Sequence, residues 1–157
     1  MGLDMYLIRK KYVGAKYKHN NVTGVIDIKT NGKTIPIDLK KVSYIEEEVG
    51  YWRKANAIHN WFVENIQDGE DDCREYFVSV EQLQELLDTC KKVLENHDLA
   101  EDLLPLRSGF FFGDTEYDEC YFQDIQDTID ILTEVIEEEK EYNKNDFYSD
   151  LIYDSSW

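Results

Sequence analysis

The sequence predicts an α+β fold in which a small antiparallel sheet with an N-terminal hairpin is covered by about three helices. Three observations predict it. Apolar and polar residues alternate over residues 2–8, an Asn31-Gly32 turn separates two further alternating segments, and two later stretches repeat apolar residues at helical spacing. At 157 residues, of which 42% are hydrophobic, the chain has the length and apolar content of one domain, so we predict a single domain over residues 1–157.

The predicted sheet begins with a strand over residues 2–8, where every second residue is apolar. Residues 22–39 form the predicted hairpin, because Asn31-Gly32 favours the positive φ angles of a type I′ turn. Pro36 cannot donate a backbone hydrogen bond, so we expect its strand at an edge. Two further short strands complete the predicted sheet, at residues 74–78 and 109–112.

Three helices are predicted to cover this sheet. The first spans residues 51–66, and the second starts at Ser79, an N-cap residue, and continues to about residue 96. The third starts near Thr115 and carries its apolar residues on one face. The tail, residues 143–157, holds many apolar residues, so we expect it to pack on the body of the domain.

Acidic residues dominate the charge of the chain. The 34 Asp and Glu residues stand against 17 Lys and Arg residues, which gives a formal net charge of −17. Such a charge repels nucleic acid and anionic membranes, so we expect neither as a direct partner. It is compatible with simple solubility, or with a basic protein surface as the partner. With no long apolar stretch, and with basic residues after rather than before the short apolar start, we also expect no membrane span and no secretory leader.

Cysteine and histidine usage gives no sign of a metal or redox centre. Three cysteines form no CxxC pair and no zinc-binding pattern, which indicates a reducing, cytoplasmic setting. The histidines are scattered, and the GxSxG, HExxH, P-loop and GxGxxG motifs are all missing. The sequence therefore predicts no catalytic residue, no metal and no cofactor, although a Cys–His pair formed only in space stays open.

Residues 51–62 (YWRKANAIHNWF) carry the strongest functional signal. On a helical wheel, Asn56 and His59 lie along one edge of the apolar arc, with Arg53 and Asn60 just beyond it. Buried polar groups need hydrogen-bond partners, which either the fold or a ligand must supply. We predict that three other segments converge on this edge, namely the first strand, residues 109–113 and residues 153–157. The predicted ligand-binding residues are Asp4, Tyr6, Trp52, Arg53, Asn56, His59, Asn60, Phe111 and Trp157.

Each of the main candidates also has a purely structural interpretation. Arg53 would neutralise an anionic ligand, or else pair with an internal carboxylate. His59 would serve as a base or metal ligand, or else be a hydrogen-bonded core group. Asn56 and Asn60 would read the polar edges of a ligand, or else hold a neighbouring backbone. Phe111 would form the wall of a pocket for a planar ligand, or else lie in a buried strand.

Four blocks of the sequence together resemble a family of small proteins of phages, prophages and bacteria. The blocks are MGLDMYL at residues 1–7, GYWRKANAIHNWF at residues 50–62, SGFFFG at residues 108–113 and SSW at residues 155–157. The resemblance covers most of the chain and implies a phage or mobile-element context and a bacterial cytoplasmic location. It brings no activity with it. In that context, small non-enzymatic proteins often sequester nucleotide signals or block effector proteins of host defence.

Three functions remain open from the sequence. The leading hypothesis is a non-catalytic protein that sequesters a small polar or nucleotide-like ligand to counter host defence. The alternative is an acidic protein-interaction inhibitor, either a nucleic-acid mimic or an effector blocker such as an anti-CRISPR, which would bind a basic surface in a salt-dependent manner. The second alternative is a small enzyme acting on a nucleotide or sugar phosphate, which needs a pKa-shifted His59 or carboxylate in a cleft. No oligomeric state is predicted.

Overall fold

The centre of the computed structural model is a four-stranded antiparallel sheet with helices on one face. The structure describes residues 2–109, 112–113 and 115–157. The strands are β1 (Asp4–Tyr12), β2 (Lys29–Thr30), β3 (Lys33–Thr34), β4 (Tyr44–Arg53), β5 (Tyr76–Val78) and β6 (Asp150–Ser156). The helices are α1 (Asn56–Asn65), α2 (Val80–Glu95), α3 (Ala100–Leu103) and α4 (Glu119–Lys144). These elements confirm the predicted α+β fold.

β1 is an inner strand of this sheet, whose order is β4-β1-β6-β5. It pairs with β4 on one side, where Met5 lies opposite Trp52, and with β6 on the other, where Leu7 lies opposite Tyr153. All four of these side chains are buried, so they form the floor on which the helices pack. The pairing of β1 with β4 shifts by one residue after Leu7, which leaves Val49 as the extra residue of a β-bulge.

α2 and α4 cover the sheet through apolar stripes, and each begins at a capping side chain. Ser79 caps α2 in a capping box with Gln82, as the sequence predicts. α4 begins slightly later than the predicted Thr115, because the Asp118 carboxylate accepts the Tyr121 N–H and so fixes the N-cap. The outer faces of both helices are charged, and no helix in the described part of the chain has the length and apolarity that crossing a bilayer requires.

The predicted hairpin forms at its turn but not in the main sheet. Asn31 and Gly32 have φ angles of 52° and 73°, as a type I′ turn requires. Its strands β2 and β3 are two residues each, are exposed, and form a two-stranded sheet of their own. These strands are shorter than the alternating segments of the sequence predict. Ile28 and Ile35 are partly exposed and cover no core, so no packing extends the strands.

The prediction of a helix from residue 51 is wrong, because residues 51–53 belong to β4. Tyr51 is 43% exposed and Trp52 is 4% exposed, the alternation of a strand paired on one side with β1. Lys54 then takes a φ angle of 59°, and α1 begins only at Asn56.

Two further predicted strands have different outcomes. The strand near residues 74–78 is confirmed as β5. For residues 109–112, Gly109 and Phe112 lie outside any strand, and the two positions between them are outside the described residues. The apolar tail packs on the domain as predicted, and it does so as the inner strand β6.

Candidate functional site

α1 and β6 bring His59 into a fully buried hydrogen-bonding position. Its Nδ1 lies 2.7 Å from the Tyr153 hydroxyl oxygen, and its Nε2 lies 3.0 Å from Asp71 Oδ1. Because a carboxylate can only accept, Nε2–H donates to Asp71 and Nδ1 accepts the proton of the Tyr153 hydroxyl. Burial lowers the pKa of His59 below its usual value, although the Asp71 carboxylate opposes that shift. The imidazole is therefore held neutral, with both nitrogens occupied.

Arg107 extends this arrangement on the far side of Asp71. Its Nε lies 3.4 Å from Asp71 Oδ2, and its Nη1–H donates to Asn60 Oδ1 over 3.1 Å. Its backbone N–H also donates to Asn56 Oδ1 over 3.3 Å. We call this set of residues the His59 network, and it consists of Asn56, His59, Asn60, Asp71, Arg107, Tyr153 and Trp157.

The two asparagines use their amide groups to hold the loop that follows α3. Asn56 Nδ2–H donates to the Phe112 carbonyl over 3.2 Å, and Asn60 Nδ2–H donates to the Pro105 carbonyl over 3.3 Å. They lie four residues apart, so one turn of α1 presents both amides to the same loop. Their observed contacts therefore correspond to the structural interpretation, in which they hold a neighbouring backbone.

Trp157 closes the outer side of the network. Its indole N–H donates to Asp71 Oδ1 over 3.2 Å, and its ring lies edge-on to Phe112 at a centroid distance of 6.0 Å. Phe112 in turn lies edge-on to His59 at 5.1 Å. Four of the predicted site residues are thus brought together, since Asn56 and Asn60 share Arg107 as a partner and His59 and Trp157 share Asp71. Phe111, the predicted pocket wall, lies outside the described residues.

The remaining predicted site residues lie elsewhere. Trp52 is buried under α4, where its indole N–H donates to Thr128 Oγ1 over 2.9 Å. Asp4 and Tyr6 lie on the opposite face of the sheet, so the prediction that four segments converge on one site is wrong for the first strand.

On that opposite face, Asp4 is the centre of a small polar group. It accepts the Tyr51 hydroxyl proton over 2.6 Å and lies 4.0 Å from Arg53 Nε. The Tyr6 and Tyr51 rings lie 5.4 Å apart. Arg53 therefore has an internal carboxylate as neighbour, yet it stays 62% exposed, so this pair is a weak surface interaction.

A cavity that the sequence does not predict lies between the sheet and the second half of α4. We call it the acidic cleft. Its volume is about 820 Å³, and it is open to solvent. Its lining residues are Arg9, Lys11, Glu47, Glu48, Val49, Glu134, Val135, Glu138, Glu141, Tyr142, Asn145 and Phe147.

Arg9 is the buried anchor of this cleft, with only 4% of its side chain exposed. Its guanidinium bonds Glu139 over 2.6 Å, Glu138 over 2.8 Å and Glu47 over 3.2 Å, and it lies 4.7 Å from the centre of the Tyr142 ring. Burial opposes its charge, but the hydrogen bonds to Glu139 and Glu138 outweigh this and raise the pKa of Arg9 further above its usual range. Arg9 thus joins α4 to β1 and β4 and is not free to bind a ligand.

The rest of the cleft keeps an excess of negative charge. Within the described residues, no ion pair engages Glu48 or Glu134, and Glu141 pairs only with the exposed Lys144 at 3.2 Å. Lys11 lies 4.1 Å from the Phe147 ring centre. The cleft therefore offers open carboxylates above an apolar and aromatic floor.

A second cavity, of about 300 Å³, lies at the start of α4. Arg53, Lys54 and Asn56 line one side of it, and Asp118 and Asp124 line the other. Burial raises the pKa of Asp124 to about 6, and the charges of Asp127 and Asp118 add to that shift. We call this space the small cavity. Neither of the two cavities is lined by His59, which gives no support to His59 as an accessible base.

Two features of these sites are not predicted from the sequence: the partners of His59 and the acidic cleft. Asp71 reaches His59 from a loop 12 residues away, Arg107 reaches Asp71 from a more distant loop, and no local pattern identifies such partners. The acidic cleft does leave a signal: Arg9 follows Met5 and Leu7 in the same alternation on β1. A charged residue at a core-facing position requires partners of opposite charge, and here they are Glu138 and Glu139 of α4.

The chemistry of these sites is set by hydrogen bonds, carboxylates and aromatic rings. Within residues 2–109, 112–113 and 115–157, no group of three or more His, Cys, Asp or Glu side chains is arranged to hold a metal ion. Comparisons of the chain with protein-family models, with curated proteins and with solved structures find no match.

Proposed function

We propose that this chain is a non-catalytic binding protein whose acidic cleft takes a basic segment of a partner protein. The observation that carries the proposal is the lining of the cleft, where five glutamates surround an apolar floor and the lining cations are Arg9 and Lys11. Arg9 is already held by Glu47 and Glu138, so it does not offset the open carboxylates. A cationic side chain of a partner protein would neutralise part of the negative charge of these carboxylates.

A Lys or Arg side chain of a partner suits both parts of this surface. Its alkyl stem would cover the partly buried Val49, while its charged end reaches Glu48 or Glu134. The Tyr142 ring already faces one guanidinium at 4.7 Å, which illustrates the cation–π contact that a guest could add. The net charge of −17 would also speed the encounter with a basic partner at low salt.

Binding of a charged peptide tests this proposal. The probe is a fluorescein-labelled peptide that alternates Lys with Val, and fluorescence anisotropy measures its affinity for the purified protein. The double variant Glu48→Gln/Glu134→Gln should weaken binding about fivefold, since each partly exposed ion pair contributes about 0.5 kcal/mol. Affinity should also fall steeply between about 50 mM and about 300 mM NaCl.

A matched control separates the cleft from the general acidity of the chain. Glu85→Gln/Glu95→Gln removes the same charge from the exposed face of α2, away from the cleft lining. This control should weaken binding by less than about twofold. Equal weakening by the two double variants would assign the attraction to diffuse charge, and tight binding of a peptide that alternates Glu with Val would also overturn the proposal.

The resemblance to phage and prophage proteins gives this binding a setting. There, the partner would be a basic surface of a host-defence protein, such as the nucleic-acid groove of an effector, and the acidic cleft would block it. Such a role needs no catalytic group in this chain.

The small cavity favours a second candidate function, the binding of a small nucleotide-like ligand. Its lining includes two residues of the predicted site, Arg53 and Asn56, together with Lys54. Titration calorimetry with purified nucleotides tests it. Arg53→Ala should weaken any binding about tenfold by removing the cation, whereas Arg74→Ala, at an exposed arginine outside the cavity lining, should not. Unchanged affinity in Arg53→Ala would remove this candidate.

A further inference from the structure

We propose that the basic partner segment binds as an added β-strand along the free edge of β4. This inference rests on the proposed function and names the form that the partner takes. β4 is an outer strand in the order β4-β1-β6-β5, and in the described part of the chain it pairs with β1 alone. It is ten residues long, and the side chains of residues 44–48 are all exposed.

The hydrogen bonds at the two ends of β4 show which backbone groups are free. Lys54 N–H donates to the Leu3 carbonyl over 2.8 Å, and Val13 N–H donates to the Ser43 carbonyl over 2.9 Å. Because hydrogen-bonded pairs alternate along an antiparallel ladder, the backbone N–H and C=O groups of Ile45 and Glu47 point towards β1, as does the C=O group of Ser43. The N–H and C=O groups of Glu46 and Glu48 therefore point away from the sheet, where an incoming strand would meet them.

The glutamates of β4 select the incoming strand. Glu47 and Glu48 line the acidic cleft, whereas Glu46 lies opposite Lys10 on the other side of the sheet, so both faces of an added strand would meet carboxylates. Pairing of β4 with β4 of a second copy would set two such runs of negative charge against each other. A strand with Lys or Arg on both faces would instead pair with Glu48 and share Glu46 and Glu47 with Lys10 and Arg9. The edge thus disfavours self-association and accepts a basic extended segment.

The β-bulge limits the length of the added strand. Val49 interrupts the regular register of β4, so continuous pairing would extend over residues 44–48. Such a segment lies beside the cleft, since Glu47, Glu48 and Val49 belong both to β4 and to the cleft lining. One extended guest could therefore use the backbone edge and the cleft carboxylates together.

A proline substitution tests the backbone part of this proposal with the same Lys–Val peptide as probe. Glu46→Pro removes an N–H that points away from β1, so it leaves the pairing of β4 with β1 in place. It should weaken peptide binding about tenfold, because the donor and the space for the added strand are both lost. The matched control, Glu46→Gln, keeps the N–H and removes only the charge, and it should weaken binding about twofold.

Hydrogen exchange supplies a second readout that needs no variant. Saturation of the natural chain with the peptide should slow exchange of the Glu46 and Glu48 amides at least about tenfold, because they become hydrogen-bonded. Unchanged exchange at both amides would overturn strand addition, and so would equal binding by Glu46→Pro and Glu46→Gln. If Glu48→Gln/Glu134→Gln still weakens binding in that case, the cleft function stands and only its strand geometry fails.

Discussion

At the level of single residues, His59 shows how a buried polar group is stabilised without a ligand. Its two nitrogens are bonded to Tyr153 and Asp71, and Asp71 is bonded in turn by Arg107 and Trp157. Removal of His59 would take away the acceptor of the buried Tyr153 hydroxyl, whereas Asp71 would keep Arg107 and Trp157. The network therefore joins α1, β6 and two loops into one unit.

The free energy of unfolding should decrease on acidification because of His59. Burial lowers the pKa of His59 in the folded protein, so the unfolded chain binds the proton more readily. The stabilisation is fully present above about pH 6.5, the pKa in the unfolded state, and is lost as the pH falls through the lower folded value. Between about pH 7.5 and about pH 5, urea denaturation of the natural chain should show a loss about 1 kcal/mol larger than that of His59→Gln.

Asp124 titrates in the same range with the opposite sign. Burial raises its pKa to about 6, so folding favours its protonated form, and stability is lost as the pH rises through that value. Both proteins keep Asp124, so its contribution cancels in the comparison. The exposed His19→Gln should follow the natural chain. Equal pH dependence of the natural chain and His59→Gln would contradict the role of His59.

At the level of elements, local patterns predict helices α2 and α4 better than strand β4. The spacing of Leu83, Leu86 and Cys90 places one face of α2 in the core, and Ser79 fixes its start. β4 escapes prediction because its glutamates have low strand propensity and its pairing with β1 comes from a segment about forty residues away. Tertiary pairing rather than local preference makes residues 51–53 extended.

The same distinction applies to the candidate sites. The polar edge of α1 predicts that Asn56, His59 and Asn60 need hydrogen-bond partners. In the structure all three have such partners and belong to the His59 network. Which partners they find depends on loops folded from distant parts of the chain, so neither Asp71 nor Arg107 could be predicted. The acidic cleft likewise needs β1, β4 and α4 in place before its carboxylates come together.

The crossing of α4 over β4 should make Gly50 intolerant of a side chain. A Cβ at this buried position would lie 2.8 Å from Ile131 Cγ2 and 3.2 Å from Leu7 Cβ. Gly50→Ala should therefore lower the free energy of unfolding by about 1–3 kcal/mol, measured by urea denaturation. In an Ile131→Ala background the nearest clash is absent, so the same substitution should cost less than half as much. An equal cost in both backgrounds would show that the α4 contact is not the cause.

For the whole molecule, the order of the strands makes the last one the link across the sheet. β6 lies between β1 and β5, and its Leu151, Ile152 and Tyr153 are buried. The Tyr153 ring also stacks on Phe62 of α1 with a centroid distance of 3.9 Å. The first and last strands of the chain are thus neighbours, so the sheet can be completed only when the last residues are present.

Removal of residues 150–157 should therefore abolish cooperative folding, since it takes away the partner of both β1 and β5 and the hydroxyl bonded to His59. Thermal denaturation followed by circular dichroism should show no sigmoidal transition. Removal of Trp157 alone should keep the transition and lower stability by about 1 kcal/mol, because it breaks only the outer contacts to Asp71 and Phe112. A cooperative transition in the chain that lacks residues 150–157 would show that the helices and the remaining strands form a stable core without β6.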